Sequence, residues 1–215
     1  MSRESYDKLP EQRKKTILDS GIAEFARRSY PEASTDDITK ASGISKGLLF
    51  HYFGSKREFY FYCLDQALSA ITSDNAPAPE TGSFYDILFS IMDAKINLCL
   101  KFPNETRLAN MAARENSADV SEGKKAVIQK FMVLAKANSK SVLAKAISAL
   151  PLKNPEEREK VTAGLSIYIN ALINQYMEAY QERPEDFFEA AEAIKSEFKT
   201  YIGLMLYGVA KEENI

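Results

Sequence analysis

One stretch of this 215-residue chain has its own chemistry. Between Ile38 and Arg57 there is no Asp or Glu, while Lys40, Lys46, Lys56 and Arg57 supply four positive charges and His51 is the single histidine. A local cationic excess in a chain of formal net charge −2 points to an anion-facing surface, although a solvated helix face reads the same way. Lys46 falls near the start of a short helical segment, where a cation opposes the helix dipole; a phosphate or a guanine edge would neutralise it. Gly47 costs roughly 1 kcal/mol of helix propensity, which close backbone approach to a ligand surface would explain. Phe50 either touches a thymine methyl or a sugar, or packs on a neighbouring helix. His51 and Tyr52 are placed to donate to phosphate oxygens, His51 having the plain alternative of a surface histidine. Ser55-Lys56-Arg57-Glu58 is a capping box, and the helix it opens offers free N–H groups beside Lys56 as a second anion site.

Other chemistries are poorly supplied. One histidine excludes a multi-histidine metal site. Cys63 and Cys99 have no CxxC spacing, which argues against a disulfide framework and suits a reducing cytoplasm. There is no Ser-His or Cys-His pair with helpers, no HExxH and no phosphate-binding glycine loop, so an enzyme has no support and no cofactor is expected. No apolar run reaches the roughly 18 residues of a membrane span, and the N-terminus is polar rather than a signal core. A cytoplasmic protein without a membrane partner is expected.

The elements that must position the cationic stretch are helices. Only 9 Gly and 8 Pro punctuate the chain, and the apolar period is helical nearly throughout. A first helix begins after Pro10, carries the stripe Ile17, Leu18, Gly21, Ile22, Phe25 and Ala26, and ends at Tyr30-Pro31. Ser34 or Thr35 caps a short second helix with Asp36 and Asp37 in its first turn; Ser42-Gly43 stops it. Ser45 caps a third, to about Phe53. Ile38, Ile44, Leu49 and Phe53 are spaced to meet beneath these two short helices, which leaves Ser45, Lys46, Gly47, Leu48, Phe50 and His51 on the remaining faces. This is helix-turn-helix geometry, whose second helix enters a major groove. A fourth helix from 55 to about 73 serves as connector. After the break at 74–82, long helices are expected near 83–101, 104–117, 121–150, 155–182 and 185–212. The expected fold is all-α, about nine helices in all, with a three-helix helix-turn-helix domain over 1–60 and a second helical domain over 74–215.

Gly43, the run Ser45-Lys46-Gly47-Leu48-Leu49-Phe50-His51-Tyr52-Phe53 and then Lys56, with Phe25 and Tyr30 before them, resemble the DNA-binding domain of the TetR (tetracycline-repressor) family of transcriptional regulators. The resemblance covers roughly residues 10–60. Thr39 and Ser42 stand where that family usually has a small Ala, and Leu48 is apolar at a base-facing position. The resemblance implies a homodimer whose two recognition helices read a palindromic operator in double-stranded DNA, and a C-terminal domain in which a small-molecule effector shifts their separation. The DNA-binding residues expected are Ser34, Thr35, Ser45, Lys46, Gly47, Leu48, Phe50, His51, Tyr52 and Lys56. The alternative is a helix-turn-helix fold kept as a protein-interaction module.

In the C-terminal half, the 155–182 helix is apolar on nearly every face and needs cover all round, for which a second subunit is the expected source. Ile169, Ile173, Tyr176 and Tyr180, with Phe198, Ile202 and Met205 on the last helix, are the expected dimer interface; the resemblance makes it a four-helix one. Polar groups set among apolar ones mark a candidate pocket: Asn97, Arg107, Arg114, Asn174 and Gln175, with Met111, Phe131 and Tyr168 as apolar lining. An apolar or amphipathic effector is expected, and interhelical hydrogen bonding is the alternative use of those polar groups.

Overall fold

The computed structural model describes residues 3–73, 79–179 and 189–208. Among them there are only helices and connections. These are α1 (Arg3–Asp7), α2 (Glu11–Arg27), α3 (Thr35–Ser42), α4 (Lys46–Phe53), α5 (Lys56–Ser73), α6 (Phe84–Lys101), α7 (Pro103–Arg114), α8 (Ser121–Ser148), a 3₁₀ turn (Pro155–Glu157), α9 (Arg158–Ala179) and α10 (Ala191–Tyr207). No helix among the described residues is long and apolar enough to cross a membrane.

The chain divides into two compact units, residues 1–76 with 97–137, and residues 77–96 with 138–215. In the first, α2 is the central helix, packed on α3, α5 and α7. Its buried side, Ile17, Ile22, Phe25 and Ala26, meets Phe59, Tyr60, Cys63 and Leu64 of α5 and Leu108 and Ala112 of α7 in one core. Gly21 makes the α2–α5 approach possible, since a Cβ there would lie 2.5 Å from the Phe59 ring. Burial pushes the Cys63 thiol well above its ordinary range.

Helix α1 is an addition to the sequence reading, which left this polar segment without structure. A five-residue helix has little stability of its own. Tyr6 supplies the rest: it is 1% exposed, its ring lies 4.9 Å from that of Phe53 and 5.6 Å from that of Tyr62, and its hydroxyl donates to the Lys14 carbonyl at 3.0 Å. Helix α2 ends at Arg27, ahead of Tyr30-Pro31, because the backbone turns extended at Arg28.

The second unit has a core of Phe84, Ile87, Leu88 and Phe89 from α6, Val142, Leu143, Ala146 and Ile147 from α8, Leu165, Ile169 and Leu172 from α9, and Ile194, Phe198 and Ile202 from α10. The expected start of the last helix at 185 lies outside the described residues, as do the end of the preceding helix at 182 and Tyr180.

Candidate nucleic-acid interface

Three short-range caps build the N-terminal helices. Ser34 Oγ accepts the Asp37 N–H, Ser45 Oγ the Leu48 N–H and Ser55 Oγ the Glu58 N–H, each at 3.1 Å. Gly43 ends α3 in the left-handed region at φ 64°, where a side chain is disfavoured. A longer tether completes the turn: Arg13 Nη2, on α2, donates to the Gly43 carbonyl at 2.7 Å. The Thr39 and Ser42 hydroxyls are absorbed by α3 itself, donating to Asp36 O at 3.0 Å and Ile38 O at 2.8 Å.

The underside of α3 and α4 is core. Ile38 and Leu49 are fully buried, and Ile44 and Phe53 nearly so. The outer side of α4 presents Ser45, Lys46, Gly47, Leu48 and His51, all exposed, with Phe50 half-buried beside them and Thr35 half-buried at the start of α3. A Cβ at Gly47 would meet nothing nearer than Ser45 Oγ at 4.0 Å, so the chain's own packing does not require glycine there.

Three predicted residues have surroundings that their spacing does not reveal. Lys46 already has a counter-ion: its Nζ lies 3.0 Å from Asp36 Oδ1 of α3. Tyr52 is buried at 8% exposure, its ring edge-on to Tyr6 at 5.8 Å, so it supports α4 from behind. Lys56 Nζ donates to the Pro31 carbonyl at 3.3 Å and stands 4.8 Å above the Tyr30 ring, where partial burial pulls its pKa below the ordinary lysine range. An ammonium has three donors, so that contact leaves Lys56 capacity for a phosphate. Ser34 and Ser45 likewise use an acceptor in capping and keep the hydroxyl proton to donate.

Sequence reasoning missed the groups that hold this surface from within. Glu24, buried on α2, accepts the Ser34 N–H at 2.9 Å and faces Arg27 Nη2 at 2.5 Å and Arg28 Nη1 at 3.4 Å. Burial raises its pKa, but the Arg27 hydrogen bond and the Ser34 N–H outweigh that, and its carboxyl sits below the usual range. The contacts of Arg13 with Gly43, Glu24 with Ser34 and Asp36 with Lys46 span 30, 10 and 10 residues, and no local motif marks them.

The expected pocket residues fall in both units. Asn97, Arg107, Met111, Arg114 and Phe131 belong to the first and Tyr168, Asn174 and Gln175 to the second. Phe131 is buried, Met111 is half-buried, and Asn97, Arg107, Arg114, Asn174 and Gln175 are exposed. Tyr168 uses its hydroxyl between helices, donating to the Tyr201 carbonyl at 3.2 Å. The expected interface residues also divide. Ile169, Phe198 and Ile202 are buried inside their own subunit, because they face α6 and α8, whereas Ile173 (41% exposed) and Met205 (44%) lie at the surface. Tyr176 is half-buried and donates to Glu197. The surface apolar side chains of α9 and α10 include three the sequence reading did not select: Ile167 (73% exposed), Leu204 (47%) and Tyr207 (85%).

A capped pair of short helices with one buried side and one presented side is the arrangement of a helix-turn-helix DNA-binding protein. Residues 17–63 match the family described as bacterial regulatory proteins, tetR family. The chain is 35% identical over 51 residues to the uncharacterized HTH-type transcriptional regulator YwcC of Bacillus subtilis (strain 168), a match taking in 24% of this chain and 23% of that protein. Among solved structures, a TetR family transcriptional regulator from Chloroflexus aurantiacus J-10-FL is similar with TM-score 0.57 at 20% identity, covering 94% of each chain. The TetR family transcriptional regulator PfmR from Thermus thermophilus is similar with TM-score 0.59 at 19% identity, covering 91% of this chain and 99% of its own. The match to the tetR family thus lies in residues 17–63, and over the length of the chain the fold is the one seen in these TetR family structures.

Proposed function

We propose that this chain is a cytoplasmic repressor that binds a palindromic operator as a homodimer and is released by a small apolar or amphipathic effector. The observation that carries the DNA-facing part is the outer side of α4, where Ser45, Lys46, Gly47, Leu48 and His51 are all exposed and Gly47 has no packing reason to lack a side chain. Lys46 and Leu48 would meet base edges, Gly47 would let the backbone close on the groove, and Ser34, Thr35, Ser45, His51 and Lys56 would hold phosphates. Tyr52 acts in this scheme through packing. Phe50 lies at the margin of the same surface.

The dimer reading is supported by α9 and α10. Ala163, Ile167, Asn170, Ala171 and Asn174 are exposed at helical spacing on α9, and Leu204 and Met205 are exposed on α10. Exposure of this kind on two neighbouring helices of one core suits a second copy. Effector release follows from linkage: a ligand that prefers the non-binding state lowers operator affinity by its differential affinity for the two states.

The test is selection of duplexes from a random library by the purified protein, followed by gel retardation across a salt series. A palindromic consensus, bound more weakly as salt rises, is the expected result. Failure to enrich any sequence would exclude an operator-binding role and leave the protein-interaction alternative.

A further inference from the structure

Two carboxylates, the buried Glu24 and the half-buried Glu115, grip the loop that leads into α3. Glu24 takes the N–H of Ser34 from within α2. The other carboxylate comes from 85 residues away: Glu115, at the C-terminal end of α7, accepts the Tyr30 N–H on Oε2 at 2.9 Å. Its Oε1 accepts the Ser117 N–H at 2.8 Å. Both oxygens therefore face donors, which only a carboxylate satisfies at once.

The end of α7 that carries Glu115 is itself fixed. Lys124, 5% exposed in the first turn of α8, donates its ammonium to the carbonyls of Ala112, at 2.7 Å, and of Glu115. Those are carbonyls that a helix C-terminus leaves without partners, and a cation there complements the dipole. On the other side of the contact, Tyr30 stacks against Tyr60 of α5 at 5.1 Å and lies under Lys56, whose ammonium is bonded to Pro31. The chain from Lys124 through Glu115 and Tyr30 to Lys56 and the Ser34 cap lies within one compact unit.

We propose that Glu115 is a positioning residue for DNA recognition: by holding the Tyr30 amide it fixes the α2–α3 loop, and with it Lys56 and the start of α3, against the end of α7. The proposal rests on the DNA-binding reading of α3 and α4, and gives a helix outside the matched residues 17–63 a part in their alignment. Both carboxylate oxygens of Glu115 accept hydrogen bonds from the protein itself.

Glu115→Gln keeps the shape but turns an amide NH₂ toward one of two N–H groups. The experiment uses the full-length protein, with amide hydrogen exchange read by NMR and affinity measured on a duplex that the wild type selects from a random library. In the wild type the Tyr30 amide is expected to be protected. In Glu115→Gln its exchange should accelerate by about tenfold or more while Ser34, held by Glu24, keeps its protection; duplex affinity should fall by about threefold to thirtyfold. Ile147→Val, which loosens the core of the other unit, serves as a destabilised control that moves neither readout. General loosening by Glu115→Gln would speed Ser34 and Tyr30 together and would overturn the proposal. So would an unprotected Tyr30 amide in the wild type, which needs no variant, or wild-type duplex affinity in Glu115→Gln. Selection that returns no duplex overturns the DNA-binding reading and the purpose assigned to the anchor with it, whereas intact selection with unchanged Glu115→Gln affinity overturns the anchor alone.

Discussion

The two compact units solve different problems with the same secondary structure. The first has a core crowded with aromatics: Tyr6, Phe25, Tyr30, Tyr52, Phe53, Phe59 and Tyr60 are all buried in it. Its polar tethers are long in sequence and end on backbone atoms, as with Arg13 on Gly43, Glu24 on Ser34, Glu115 on Tyr30 and Lys56 on Pro31. The second has a mainly aliphatic core and leaves Ile167, Ile173, Leu204 and Met205 at its surface. A surface that must present α4 in one pose needs backbone held from several directions. The proposed meeting with a second copy needs apolar area of the kind these side chains offer.

The sharpest way to break this contrast is to empty the first core. Phe25→Ala, at a residue 1% exposed, should cost about 3–5 kcal/mol in chemical denaturation and abolish retardation of a selected duplex. A loss under about 1 kcal/mol would show that the aromatic core does not determine the pose of α3 and α4. The second unit is tested at its surface: Ile167→Asp should convert the proposed dimer to a single-chain species in sedimentation while the far-ultraviolet helical signal stays near wild type. A persistent dimer would move the interface away from α9.

Lys46→Ala comes next. Retardation of the selected duplex should weaken about tenfold, and discrimination at the base pair Lys46 reads should relax. The melting temperature should barely move, because an ion pair this exposed contributes at most about 1 kcal/mol. Gly47→Ala separates folding from recognition within α4. It should stabilise the helix by about 0.5–1 kcal/mol and still weaken DNA binding, since the added methyl meets no protein atom closely but stands between backbone and groove. A variant both more stable and equally active would remove Gly47 from the interface.

The smallest expected effect is on acid stability. Desolvation at the buried Glu24 and the half-buried Glu115 raises their pKa values, but ion pairing and N–H donors at Glu24 and N–H donors at Glu115 outweigh it and hold both below the ordinary carboxylate range. Their stabilisation is therefore complete above the unfolded-state value near about 4.3 and is lost as pH falls through the folded-state values. Glu24→Gln should flatten the acid limb of a stability profile below about pH 4 and leave the profile above about pH 6 parallel to wild type. An unchanged acid limb would remove Glu24 from the proton-linked set.

Local signals made the helix-turn-helix legible. Ser34, Ser45 and Ser55 cap helices through atoms three residues away, Gly43 stops α3 by its own conformational freedom, and Ile38, Leu49 and Phe53 follow the helical period. Each acts within one turn of chain, so spacing alone encodes it. The exposed side of α4 was readable by subtraction from those core positions. Tyr52 was not, because aromatic residues serve a core and a phosphate equally well in a sequence; only Tyr6, reached through α1, assigns it to packing. The pocket and interface residues of the C-terminal half were the least legible. A long helix that is apolar all round offers several faces, and which one meets α6 and α8 depends on packing angles that no local pattern records.

The sequence by itself determined that the chain is helical, that a cationic stretch lies between Ile38 and Arg57, and that this stretch matches a family of bacterial regulatory proteins. Composition, period and capping are properties of neighbours in the chain. Tertiary structure alone decided that Asp36 holds Lys46, that the Tyr52 ring packs edge-on to Tyr6, that Ile167 is presented while Ile169 is buried, and that Glu115 reaches back to Tyr30. Those pairings follow from where the folded chain brings distant residues within hydrogen-bond or packing distance, and neither residue type nor spacing carries that distance.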